Sequence, residues 1–184
     1  MRSSAPGRFI KRRSSVLLRL EPALSAADIA EAAALFRDYA AGLSVDLAFQ
    51  GFDAELAELP GKYAPPGGEL LLARNATGAA LGCVAHRPLE SRGVCEMKRL
   101  YVRPEARGLG VGRALVAAII VAAEQRGYAE MRLDSLPTMT EAIALYRCFG
   151  FVEIPAYCYN PVPGTIYLAK RLSCESAARA PSPD

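Results

Sequence analysis

The chain has 184 residues, enough for one domain and short of two ordinary ones. At 52% hydrophobic and 22% charged, it can fill one buried core and does not have the composition of a disordered chain. The net charge is +3, but Arg2, Arg8, Lys11, Arg12 and Arg13 stand without an acid in residues 1–15; the remainder sits near −2, so the basic balance belongs to a tail and no nucleic-acid-binding face is expected.

In chain order, residues 1–15 read as a flexible basic extension that lacks the apolar segment of a secretory signal, although its Arg- and Ser-rich, acid-free composition also suits a transit peptide. Val16–Leu20 alternates weakly, as a first strand does. Ser25 and Asp28 form a capping-box pattern ahead of a helical stretch, Ile29–Leu43, with Gly42 at its end. A looser helical stretch follows over Asp46–Leu59, weakened by Gly51 and stopped by Pro60 and Gly61. Glu69–Arg74 and Ala80–Arg87 read as a hairpin, and Val94–Val102 as the next strand. Gly110–Gln125 is a long helix ended by Gly127, Glu130–Asp134 a short strand, and Thr138–Phe149 a helix ended by Gly150. Phe151–Ile154 and Thr165–Leu172 are the last strands, joined by a Pro-rich loop, and residues 173–184 read as a disordered tail. The order βααβββαβαββ predicts one mixed α/β domain over residues 16–172.

No apolar run approaches the ~18 residues that cross a membrane; the longest, Ala114 to Ala123, suits a helix buried on a sheet. The five cysteines (Cys83, Cys95, Cys148, Cys158, Cys174) contain no CxxC, and His86 is the single histidine. That leaves no zinc set and points to a reduced, cytoplasmic, metal-free protein. His86, at the end of a strand, reads as structural before catalytic.

The run Lys98 to Arg113 carries the chemistry. A strand ends at Val102, glycines stand at 108, 110 and 112, and a long helix begins. The first N–H groups of a helix have no internal partner and the helix dipole places about +0.5 charge there. With Arg107 and Arg113 beside them, they form a site for phosphate or diphosphate. A nucleoside-triphosphate loop would need Lys-Ser or Lys-Thr after the glycines, and a dinucleotide fingerprint would need glycine where Arg113 stands.

Arg107-x-x-Gly110-x-Gly112 instead resembles the R/Q-x-x-G-x-G/A signature of the GNAT superfamily of N-acetyltransferases, and Ala142-x-x-Leu145-Tyr146 through Gly150-Phe151 resembles that family's second block, in the right order and spacing. The resemblance covers about residues 16–172. It implies a single-domain GNAT fold: a mixed, mostly antiparallel sheet, with splayed parallel central strands, flanked by helices. It also implies acetyl-CoA in the gap between Glu96–Val102 and Glu130–Asp134. Arg107, Gly108, Leu109, Gly110, Val111, Gly112 and Arg113 are then expected at the diphosphate, and Leu100, Tyr101 and Val102 at the pantetheine arm. Met139 and Ala142 complete the expected cofactor set; Met139 stands where the family often has asparagine, so that amide contact is missing or is replaced by Ser135 or Thr140.

By the same resemblance Glu96 is the candidate general base and Tyr146 the candidate acid toward the departing thiol. Glu96 equally suits a solvated strand carboxylate, and Tyr146 also lies on the apolar face of its helix. Phe49, Gln50 and Phe52, and Tyr157, Tyr159 and Asn160 on the last loop, are candidate substrate contacts; packing accounts for the first group and a plain surface loop for the second equally well. The implied activity is transfer of acetyl to a primary amine of a small molecule or amino acid by direct attack in a ternary complex. The other reading is a non-catalytic acyl-CoA-binding module. Homodimers are common in this family and are an expected assembly.

Overall fold

The structure is a computed structural model that describes residues 17–173; the basic stretch 1–15 and residues 174–184 lie outside it. Seven strands form one sheet: β1 (Arg19–Pro22), β2 (Glu69–Arg74), β3 (Ala80–Pro88), β4 (Val94–Val102), β5 (Glu130–Ser135), β6 (Val152–Glu153) and β7 (Ile166–Arg171), in spatial order β1-β2-β3-β4-β5-β7-β6. Four helices flank it: α1 (Ala26–Ala41), α2 (Phe52–Glu58), α3 (Val111–Gln125) and α4 (Thr140–Cys148).

The element order expected from the sequence is the one observed, with shifted ends. The first strand is Arg19–Pro22, two to three residues later than Val16–Leu20. The looser helix over 46–59 is two pieces, a 3-10 turn at Ala48–Gln50 and α2, because Gly51 adopts φ +68 and breaks the helical path. The capping box at α1 is complete: the Asp28 amide donates to Ser25 Oγ at 3.1 Å and the Ser25 amide donates to Asp28 Oδ2 at 3.0 Å.

Two hydrophobic cores sandwich the sheet. α3 buries Val111, Leu115, Val116, Ile119 and Ala123, at helical spacing, against Leu71, Val84, Cys95, Met97 and Met131. α1 buries Ala32, Leu35 and Phe36 on the opposite face, against Leu70, Leu72, Cys83 and Ala85. Strand β2 is buried throughout because consecutive side chains feed the two cores in turn.

β4 and β5 are the parallel pair of the sheet, and they pair over only three positions, Val94–Glu130, Cys95–Met131 and Glu96–Arg132. Beyond Glu96 the strands part. The register between β3 and β4 slips there, with Lys98 to Tyr101 opposite Ala85 to Cys83, and Arg99 sits at φ +60. A bulge of this kind bends the strand that carries it.

His86 lies on β3, fully buried, its ring edge-on to Tyr128 at 5.5 Å, with no hydrogen-bond partner for either nitrogen among the described residues. Burial, and then the charge of Arg126, lower its pKa from 6.5 to about 4. The folded state therefore holds the neutral ring while the unfolded chain takes up a proton first as pH falls. Stability is complete above about pH 6.5 and is lost between there and about pH 4, by up to roughly 3 kcal/mol from this residue. Urea unfolding of the parent and of His86→Leu at about pH 7 and pH 4.5 checks this: the variant is expected to lose less stability on acidification, and equal losses contradict the assignment.

Candidate active site

From Val102 the chain runs through a 3-10 turn at Pro104–Ala106 into the glycine segment and α3. Gly108 (φ +73) and Gly110 (φ +86) hold a left-handed backbone that other residues adopt at a cost. Gly110 caps α3 without a side-chain hydrogen bond, and the first helical bond is the Ala114 amide to the Gly110 carbonyl at 3.0 Å. The amides of Val111, Gly112 and Arg113 consequently have no partner within the helix. A Cβ built on Gly108 or Gly110 meets no atom within 4 Å, so the space before these amides is open.

That space is a cleft of about 910 Å³ between the bulged end of β4, the start of α3 and the start of α4. Leu100, Tyr101, Val102, Arg107, Gly108, Gly110, Val111, Gly112, Arg113, Met139 and Ala142 all line it. Leu109 does not, and it is 51% exposed. Arg107 Nε donates to the Val102 carbonyl at 3.2 Å, and the Arg113 guanidinium lies over the Phe149 ring at 5.2 Å. Free helix amides, two guanidinium groups and open space suit a diphosphate. Thr140, the first residue of α4, also lines the cleft.

A second, smaller cavity of about 40 Å³ lies where β4 and β5 have parted. It shares Tyr39, Leu43, Leu100, Leu136 and Met139 with the large cleft. Tyr146 lines it, 7% exposed, with its ring 5.9 Å from that of Phe151. Burial, then the neighbouring Tyr39 and the Asp134 carboxylate, push the Tyr146 phenol above its ordinary range. Phe49, Gln50 and Asn160 also line this cavity.

Sequence reasoning did not single out Lys98 and Asp134 on its walls. Lys98 Nζ donates to Asp134 Oδ1 at 2.9 Å, and Asn160 Nδ2 donates to Asp134 Oδ2 at 2.9 Å. Burial raises the Asp134 pKa, but the Lys98 charge and these hydrogen bonds outweigh it and leave the carboxyl below its ordinary value. The signal was present as alternating charges, Glu96 and Lys98 on one strand and Arg132 and Asp134 on its parallel neighbour.

Glu96 lines neither cavity. It is 1% exposed, and Oε2 accepts from Arg87 Nε at 2.8 Å and pairs with the second Arg87 nitrogen at 2.8 Å. Oε1 accepts from the Tyr157 hydroxyl at 2.8 Å, with Lys98 Nζ 3.7 Å away. It is therefore a tightly held buried carboxylate; the alternative expectation of a solvated one is corrected, because the last loop and β3 cover it. Tyr157 carries the Arg132 guanidinium over its ring at 5.5 Å, and Tyr159 is 81% exposed. Phe52 packs in the α1-side core with its ring 5.1 Å from the Arg99 guanidinium. Arg99 forms a two-pronged bond to Glu55, both contacts 2.7 Å, and the Tyr63 hydroxyl donates to the same carboxylate at 3.0 Å. This cluster ties α2 to the bulge of β4.

The comparisons with known proteins agree with this geometry. The model of the acetyltransferase (GNAT) family matches residues 34–151. An uncharacterized N-acetyltransferase of Schizosaccharomyces pombe is 48% identical over 139 residues, covering 76% of this chain and 85% of the relative. An aminoglycoside N(6')-acetyltransferase type 1 of Stenotrophomonas maltophilia is 33% identical over 118 residues, covering 60% of this chain and 77% of the relative. The crystal structure of a phosphinothricin acetyltransferase of the GNAT superfamily from Sinorhizobium meliloti, in complex with AcCoA, superposes with a TM-score of 0.63 at 20% identity, covering 90% of this chain and 93% of that one.

Proposed function

Because the chain belongs to the acetyltransferase (GNAT) family, we propose that it is an acetyl-CoA-dependent N-acetyltransferase that acetylates a primary amine of a small molecule by direct attack in a ternary complex. The observation that carries this reading is the parting of β4 and β5 after three residue pairs. It leaves one edge of β4 without a strand partner, next to an uncapped helix end and in front of a polar cavity.

Val111, Gly112 and Arg113 offer their amides, and Arg107 its guanidinium, to the diphosphate of coenzyme A. The β4 edge at Leu100, Tyr101 and Val102 takes the pantetheine arm as it would an added strand. Bound acetyl-CoA supplies a thioester carbonyl to which the amine adds, a C–N bond forming as the C–S bond breaks and the sulphur leaving as thiol. Tyr146 lines the small cavity, which meets the cleft at Leu100 and Met139. With its phenol held above the ordinary range it is a weaker acid than a thiol, so it works as a relay: it gives its hydroxyl proton to sulphur as it receives the one the amine sheds. The transferred proton is thereby accounted for without a net exchange with solvent. Glu96, hydrogen-bonded to Tyr157 and paired with Arg87, holds the wall behind the acceptor side.

Release of free thiol from acetyl-CoA over a panel of small amines, alongside calorimetric titration of coenzyme A, tests the reading. Amine-dependent thiol release is the expected result. Tight coenzyme A binding with no release across the panel assigns the chain to the non-catalytic acyl-CoA-binding class instead.

A further inference from the structure

Among the described residues Arg99 is the one residue other than glycine with a positive φ, +60. A residue with a Cβ is disfavoured there, and the conformation persists only where its surroundings impose it. Arg99 sits in the bulge itself: Lys98 pairs with Ala85 and Tyr101 with Cys83, so Arg99 and Leu100 together face Val84. They also belong to the part of β4 that has left β5, whose last pairing is at Glu96. Leu100, Tyr101 and Val102, the residues that follow Arg99, line the large cleft.

A clamp outside the sheet grips this residue. The buried Arg99 side chain reaches α2, where two of its nitrogens donate to the two oxygens of Glu55, both at 2.7 Å. A fork of this kind fixes direction as well as distance. The guanidinium also lies near the rings of Phe52, at 5.1 Å, and Tyr39, at 5.9 Å, and the Tyr63 hydroxyl donates to Glu55 at 3.0 Å. Burial raises the Glu55 pKa, but its bonds to Arg99 outweigh that and leave the carboxyl below its ordinary value, so the pair stays ionised. On the sheet side the Arg99 carbonyl accepts from the Cys83 thiol, a weak donor, at 3.4 Å.

We propose that Glu55 and Arg99 are positioning residues for the cofactor: their ion pair locks Arg99 in its left-handed conformation, and the bulge so held keeps the β4 edge at Leu100, Tyr101 and Val102 in the path that receives coenzyme A. The inference rests on the donor site proposed above and adds what holds it in shape.

The test is calorimetric titration of coenzyme A into four chains whose folding is checked by circular dichroism: the parent, Glu55→Gln, and the double variants Glu55→Gln/Arg99→Gly and Glu55→Gln/Arg99→Ala. Both double variants lack the ion pair without leaving a buried charge unmatched, and they differ by one methyl group. Glycine holds a positive φ unaided, whereas alanine relaxes toward extended backbone. The glycine chain is expected to bind coenzyme A within about threefold of the parent, and the alanine chain about tenfold more weakly than the glycine chain, because only a fraction of it keeps the competent path. Glu55→Gln alone is expected to weaken binding about tenfold; if it does not fold, the double variants decide. A pair that only stabilises the strand predicts the opposite order, since glycine weakens an ordinary strand more than alanine does. Equal affinities in the two double variants, tighter binding by the alanine chain, or parental affinity in folded Glu55→Gln overturns the proposal. Amide hydrogen exchange over residues 98–102 is followed on the same chains without ligand, and protection is expected to be about tenfold lower in the alanine chain than in the glycine chain. If the parent does not bind coenzyme A, the acetyl-transfer reading falls and exchange decides the clamp: the expected difference supports it and equal protection overturns it.

Discussion

Gly110→Trp is expected to lower the affinity for coenzyme A by at least about 100-fold while the chain still folds. Gly110 stands at φ +86, directly before the three unpartnered amides of α3, and its Cβ direction points into empty space. A Cβ built there meets no atom within 4 Å, so an indole extends from the turn into the cleft volume the diphosphate needs. Losing two charge-assisted hydrogen bonds, each worth about 1.5–3 kcal/mol, already exceeds the roughly 2.7 kcal/mol that a 100-fold change requires. The left-handed backbone adds a folding cost of about 1–2 kcal/mol, which in a domain of this size lowers Tm by a few degrees. Isothermal calorimetry with coenzyme A and a thermal melt read the two effects separately. Unchanged affinity in a folded variant places the diphosphate elsewhere and removes the premise of the donor site.

Tyr146→Phe is expected to reduce kcat about 100-fold or more, with coenzyme A affinity and the amine KM within about twofold. The ring stays, so the packing against Phe151 and the shape of the small cavity stay with it; only the hydroxyl is removed. Because burial and neighbouring groups hold the phenol above its ordinary pKa of 10, the parent keeps its hydroxyl proton across the whole working range. The parent is therefore expected to show no alkaline fall in kcat from this group below about pH 10. A variant with parental kcat shows that Tyr146 only packs, the second role its position on the apolar face of α4 allows.

The features legible in the amino-acid sequence were those set by neighbours along the chain. Ser25 and Asp28 close a capping box three residues apart, and Val94–Val102 forms the strand expected over the same residues. Glycines at 108 and 110 are needed where the backbone turns left-handed before a helix, and the two blocks at Arg107–Gly112 and Ala142–Phe151 mark the proposed donor cleft by short-range spacing. The break of the 46–59 stretch was signalled by Gly51 but not resolved, because one glycine weakens a helix without specifying the φ +68 that ends it.

Tertiary structure alone decided the charge pairing around the small cavity. Arg99 takes up a left-handed conformation because β4 has one residue more than β3 opposite it, and its guanidinium is held by Glu55, 44 residues earlier. Glu96 could have met solvent; it meets Arg87 and, 61 residues on, Tyr157. Lys98 finds Asp134 across the gap the splayed strands leave. Charge pairing of this kind is a choice among many partners of similar chemistry, and only the strand register and the path of the last loop bring one of them within 3 Å. Backbone turns and caps need no such choice, which is why the proposed donor cleft is legible in one short run while the ion pairs around the small cavity draw on five separate elements.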